Sequence, residues 1–158
     1  MRISFCAFWL LALAGSSFSF PALGEAAALQ PNPGLRVTYR SSDKTVDVTS
    51  AINVRLYVPA GKSPSPFLSG EKVTTTWEGF LSVDLRGDYA FQAELNGHLK
   101  LEINGALILE TSETNSSLSK PIRLSKGTNA FRATFDRPTQ GDAFLRLNWK
   151  PKGSFLQP

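Results

Sequence analysis

Residues 87–110, GDYAFQAELNGHLKLEINGALILE, decide the reading of this chain. Tyr89, Phe91, Ala93 and Leu95 alternate with Gln92 and Glu94, and Leu99, Leu101 and Ile103 alternate with Lys100 and Glu102. A period of two places each apolar set on one face of a sheet. Asn96-Gly97 and Asn104-Gly105 separate the runs. Asn-Gly is the strongest short hairpin signal, because a two-residue type I′ turn needs φ > 0 at both central positions. The stretch therefore predicts a β-meander, three antiparallel strands joined by two tight hairpins.

Towards the N-terminus, residues 34–40 alternate as a strand. Val46, Val48, Ile52, Val54, Leu56 and Val58 follow at even spacing and predict a loose first half and a firm strand over 52–58. Residues 59–72, PAGKSPSPFLSGEK, carry three prolines and two glycines, which exclude a helix or a central strand. They read as a loop over one end of the sheet, with Phe67 and Leu68 either anchoring it or presented to a ligand. In 73–85, Trp77, Gly79, Leu81, Val83 and Leu85 share one parity, and Gly79 in mid-strand points to a bulge or to close approach of another backbone. Arg86-Gly87-Asp88 matches the integrin-binding tripeptide but reads as a turn into the meander.

Towards the C-terminus, residues 106–110 close the meander and 111–119 form a polar Ser/Thr-rich loop. Ile122 and Leu124 mark a short strand, Phe131, Ala133 and Phe135 share one face of another, and 138–142 is a turn. Leu145, Leu147 and Trp149 alternate with Arg146 and Asn148 in a last strand. No stretch has helical periodicity. Eight or nine short strands with regularly spaced turns predict an all-β fold, an antiparallel sandwich or barrel.

The first residues stand apart from this pattern. Met1-Arg2, an apolar run over 3–13, and the small residues Ala22-Leu23-Gly24 make a secretory signal peptide of residues 1–24, with an uncleaved anchor as the alternative. The run is too short to span a bilayer comfortably. Residues 25–33 are a Pro/Ala-rich spacer, 34–151 the β domain and 152–158 a tail or linker. The single cysteine, Cys6, lies within the leader, so the exported chain has no disulfide and no thiolate chemistry and depends on its apolar core. No later segment is apolar enough to span a membrane, which predicts a secreted or periplasmic protein. The net charge of +4 is scattered, without the clustered stripe that nucleic-acid binding requires.

Candidate chemistry is sparse. His98 is the single histidine, and a metal centre needs three or four converging ligands, so no metal is expected there. Glu94 and Glu102 are expected roughly opposite each other on paired strands, with Lys100 near both. A glycosidase needs two carboxyls about 5–10 Å apart in a cleft. These alternate with the apolar face, so they point to solvent as cross-strand charge partners. No Ser-His-Asp set and no glycine-rich phosphate loop exists, so neither an enzyme nor a cofactor is expected. Trp77 and Trp149 share the apolar parity and belong to the core, and Tyr39 is a weaker surface candidate. Tyr57, out of parity with Leu56 and Val58, is the better aromatic for stacking on a sugar.

The order Gly34-Leu35, Trp77-x-Gly79, Gly87-Asp88-Tyr89-x-Phe91, Leu101-x-Ile103-Asn104-Gly105, Ile122-x-Leu124-x-Lys126-Gly127 and Leu145-x-Leu147-x-Trp149 resembles the PA-fourteen domain, the lectin-like β-barrel named after anthrax protective antigen. The resemblance spans about residues 33–151. The family occurs in β-glucosidases, yeast adhesins and secreted bacterial multidomain proteins, and implies carbohydrate recognition. Its sugar-binding members carry an Asp-Asp-Gly motif, with a cis peptide, that ligates calcium before the Leu-x-Ile-x-Gly strand. The matching stretch here is Leu95-Asn96-Gly97, which lacks the charge that calcium wants. The resemblance thus implies an exported, non-catalytic module for a glycan or cell-wall polysaccharide. The alternative is an accessory domain with a protein partner in the cell envelope, for example beside a cytochrome-type or hydrolase module. The candidate ligand-binding residues are Asn96, Gly97, His98, Asn115 and Tyr57.

Overall fold

Period-two alternation yields strands throughout. The computed structural model describes residues 34–68, 72–112, 116–151 and 153, and within them it has eleven strands and no helix. These are β1 (Leu35–Ser41), β2 (Val46–Ala51), β3 (Arg55–Val58), β4 (Val73–Val83), β5 (Gly87–Asn96), β6 (His98–Ile103), β7 (Ala106–Thr111), β8 (Ser116–Leu118), β9 (Ile122–Leu124), β10 (Gly127–Asp136) and β11 (Ala143–Pro151). One sheet runs β2-β1-β4-β10-β6-β7, the other β3-β11-β5-β8, with β9 also pairing β5. Every pairing is antiparallel. The expected all-β antiparallel sandwich is the observed architecture.

The inward faces interdigitate large with small. Trp77 on β4 lies opposite Ala133 on β10, and Phe131 lies opposite Gly79. Within the second sheet, Leu95 on β5 pairs with Leu145 on β11 and Ala93 with Leu147. Trp77, Phe91, Leu95, Leu99, Leu101, Phe135 and Leu145 are all buried in one cluster. Each large apolar side chain so buried contributes roughly 1.5–3 kcal/mol relative to exposure. Gly79 sits in unbroken register, so it is not a bulge. A Cβ there would meet Leu35 Cδ2 at 2.9 Å and Gly34 O at 3.4 Å, so it marks a close approach of β1.

The meander is the principal correction. Asn104-Gly105 is the expected hairpin, with φ of 51° and 78° and Ile103 opposite Ala106. Asn96-Gly97 is not a hairpin, because β5 and β6 lie in different sheets. A two-residue turn there would pair Leu95 with His98 and set an apolar face beside a polar one. The chain instead steps across the sandwich, and Leu95 and Leu99 both enter the core. Among the described non-glycine residues only Lys44 and Asn104 have positive φ, so Asn96 does not adopt the first position of a type I′ turn. Glu94 and Glu102 are correspondingly not on paired strands. Glu94 lies beside Arg146 at 3.6 Å, and Glu102 beside Lys100 at 3.0 Å.

Two further expectations change. The even spacing over 46–58 does not mark one buried face. The chain breaks after Ala51, and β2 and β3 become edge strands of different sheets. Val48 and Val46 pair with Thr38 and Arg40 and are exposed on the outside, while Asp47, opposite Tyr39, is held from the other side by the Ser65 hydroxyl at 2.5 Å. Loop 59–68 covers this inner edge. It buries Leu68 and leaves Phe67 76% exposed, so one anchors and the other is presented. The polar loop after β7 also contains a short strand, β8, paired to β5. Leu85 shares its parity with buried residues but lies beyond the end of β4 and is exposed.

At the end of the sandwich where β1 begins and β11 finishes, Gly34, Leu35, Val54, Phe80 and Trp149 line a hollow of about 160 Å³.

Candidate functional site

The opposite end is built from the last residues of β3 and β5, the first of β11, and the loops 59–68 and 137–142. Strand register puts Tyr57, Phe144 and Asn96 in one row across β3, β11 and β5. Arg55, Arg146 and Glu94 form the next row. Their sequence neighbours Leu56, Leu145 and Leu95 face the core, so both rows face outward. Tyr57 is 66% exposed. Tyr57, Phe144, Glu94, Arg55 and Arg146 line an open hollow of about 540 Å³.

Asp142 fastens this row. Its Oδ2 accepts the Tyr57 hydroxyl at 2.9 Å and its Oδ1 accepts the Ala60 amide at 2.9 Å. Its carbonyl accepts Asn96 Nδ2 at 2.7 Å. The Ala60 N–H, and then the Tyr57 hydroxyl, hold the Asp142 carboxyl below the usual carboxylate range. The same hydrogen bond, and the negative charge beside it, push the Tyr57 phenol above its ordinary value. Both groups therefore keep their bonding forms, carboxylate acceptor and phenol donor, across the neutral range. The ring of Tyr57 is held in place at its far end while most of the side chain stays exposed.

Beside this row, Arg137 follows directly on β10, and its Nη1 donates to Lys62 O at 2.7 Å, tying loop 137–142 to loop 59–68. Arg137 Nε is buried without a hydrogen-bond partner. A buried donor left without an acceptor costs about 1–3 kcal/mol. Lys62, Ser63, Arg137, Thr139 and Gln140 line a cleft of about 660 Å³ between the two loops.

The structure thus brings two of the sequence candidates, Asn96 and Tyr57, to one place. Gly97 lies behind them as the pivot between sheets, where a Cβ would meet Asp136 O at 2.5 Å and the Phe135 ring at 2.6 Å. His98, one residue on, belongs to the other sheet. Its Nε2 is 3.4 Å from Glu110 and its Nδ1 3.7 Å from Asp136, whose other oxygen accepts the Thr74 hydroxyl. Asn115 lies outside the described residues. Phe144, Asp142 and Arg137 escaped the sequence reading. The parity that singled out Tyr57 also singles out Phe144, since both alternate with core leucines. Asp142 and Arg137 flank a turn and carry no periodic signal.

The residues at the corner do not fit calcium. Leu95 is wholly in the core, Asn96 donates its amide to Asp142, Gly97 has no side chain, and the Asp142 carboxylate already accepts two donors. Among the described residues no group of three or more His, Cys, Asp or Glu side chains could hold a metal ion. Calcium takes six to eight oxygens.

With this geometry established, the family profile of the PA14 domain matches residues 31–141. The chain belongs to the PA14 domain family. Several solved structures, two of them PA14 domains, share its fold. The PA14 domain of the antifreeze protein MpAFP superposes with a TM-score of 0.65 at 13% identity, over 79% of this chain and 86% of that one. A PA14 sugar-binding domain from an RTX adhesin gives 0.60 at 14% identity, over 79% and 93%. The Epithelial Adhesin 6 A domain from Candida glabrata, solved with Galβ1-3GlcNAc, gives 0.61 at 12% identity, over 81% and 84%. No curated protein matches at the sequence level.

Proposed function

We propose that this PA14 domain is an exported, non-catalytic carbohydrate-binding module and that its sugar rests on the Tyr57–Phe144–Asn96 row. The observation that carries the reading is the Tyr57–Asp142 hydrogen bond, which fixes an aromatic ring that is largely exposed to solvent. Sugars present C–H faces to aromatic rings and hydroxyls to amide, guanidinium and carboxylate groups. Asn96, Arg146 and Glu94 supply all three of these groups around the ring. Pre-ordering lowers the entropy lost on binding. The sugar-binding description of the RTX adhesin domain and the disaccharide in the Candida adhesin support the ligand class. Without a calcium-fitting corner, recognition rests on stacking and direct hydrogen bonds.

A glycan array run with calcium and with a chelator tests this. Binding to neutral glycans should be equal in both buffers, and Tyr57→Ala should lower it by about tenfold or more, while Tyr57→Phe, which keeps the ring but loses its bond to Asp142, should lower it by about threefold. Binding that needs calcium, or that survives Tyr57→Ala, defeats the reading. Export predicts a mature chain starting near Glu25, which mass spectrometry of the secreted protein would register.

The second reading is an accessory domain that docks a partner in the cell envelope and has no ligand of its own. The corner favours it, because Asn96 and Asp142 use their polar groups on each other and on Ala60 and Tyr57. An array with no hit in either buffer would select it.

A further inference from the structure

The cleft beside the aromatic row carries a charge that the neutral-sugar reading does not use. Among the described residues neither Arg137 nor Lys62 has a carboxylate within ion-pair distance. Asp142, on the same loop, makes no ion pair with either of them, its two carboxylate oxygens being directed at Tyr57 and Ala60. Arg137 is also pre-positioned. Its Nη1 is anchored on Lys62 O, while Nε lacks any acceptor. Arg132 on β10 indicates what that edge of a guanidinium does when it is satisfied, because its Nε and Nη2 both donate to Glu78. On Arg137 the Nε position of this fork is empty. Ser63, Thr139 and Gln140 supply neutral donors and acceptors around it.

We propose that this cleft receives the carboxylate of an acidic sugar, a uronic acid residue or a sugar of like charge, with Arg137 as the anchor and Lys62 as a second cation. A small turn of the guanidinium brings Nε to the carboxylate and relieves its missing hydrogen bond. The charge-assisted pair then selects acidic over neutral sugars. The proposal rests on the carbohydrate reading above and adds an acidic group next to the ring that stacks on Tyr57.

The test is calorimetric titration of the mature chain with trigalacturonate and with its neutral counterpart, galactotriose, at low and at physiological salt. The expected result is a preference of about tenfold or more for trigalacturonate, lessened by salt. Arg137→Gln should abolish that preference. Because this change also removes the bond to Lys62 O, Lys62→Gln serves as a second variant. It keeps the backbone carbonyl and should lower the preference by about threefold. Arg123→Gln, on β9, should change nothing. Equal affinity for the two trisaccharides, or a preference that survives Arg137→Gln, overturns the proposal. So does competition by oligoglutamate as strong as by trigalacturonate, which would mean a site for bare carboxylates. Tyr57-dependent binding of neutral glycans with no acidic preference sinks this proposal and leaves the carbohydrate reading standing. Absence of any glycan binding sinks both.

Discussion

Asn96-Gly97 and Asn104-Gly105 are the same dipeptide, eight residues apart, and the fold uses them in opposite ways. At Asn104-Gly105 the chain reverses within one sheet. Both residues have positive φ, and Asn104 extends the pairing to β10 through Ala130 O and Ala130 N at 2.8 Å each. At Asn96-Gly97 the chain changes sheet. The glycine is needed because Asp136 and Phe135 fill the place of a Cβ, and the asparagine clasps a neighbouring loop. A turn signal thus states where the chain bends, and the face of the flanking residues states where it goes afterwards.

The largest test of this contrast is alanine at each glycine. Gly97→Ala should destabilise by about 3 kcal/mol or more, because backbone and ring atoms must both move. Gly105→Ala has open space around its Cβ and bears only the left-handed φ of 78°, so about 1–2 kcal/mol is expected. Urea denaturation of both variants checks the order, and equal losses would mean that Gly97 is an ordinary turn residue after all. Next in size are the asparagines. Asn104→Ala removes the acceptor for Ala130 N–H and the donor to Asn129, and should cost about 1–2 kcal/mol. Asn96→Ala removes one partly exposed bond and should cost about 0.5–1 kcal/mol.

The smallest effect sharpens what Asn96 is fastened to. Asp142 has a lowered carboxyl pKa, so its stabilisation is present above the unfolded value of about 3.9 and fades as pH falls through the lower folded value. Tyr57 has a raised phenol pKa, so its stabilisation is present below about 10 and is lost as pH rises through the higher folded value. Tyr57→Phe should lower Tm slightly at neutral pH, and the difference from wild type should vanish in strong acid and in strong alkali. A difference that did not change with pH would show that the Tyr57–Asp142 bond is not its source.

Much of the fold was legible because its strands obey simple alternation. The bodies of β10 and β11, 129–135 and 144–149, read directly from Phe131, Ala133, Phe135, Leu145 and Leu147, and the strands extend one or two residues further at each end. The sheet change at Gly97 was legible in principle, since Leu95 and His98 cannot share a face, but the Asn-Gly signal masked it. Asp47, facing inward on an edge strand, inverted the parity of 46–51, because the register with β1 overrides local hydrophobicity. Of the residues gathered at the candidate site, Tyr57 was legible through its parity and Asn96 through the family resemblance. Asp142 and Arg137 were not, because their roles arise from loops that meet only after the sheets have formed.

The hollow bounded by Gly34 and Trp149 has a practical consequence. The backbone enters the β domain and leaves it at neighbouring points, on the far side from the Tyr57 row. A domain with that layout can be spliced into a surface loop of an unrelated host through two short spacers, and its Tyr57 row still points outward.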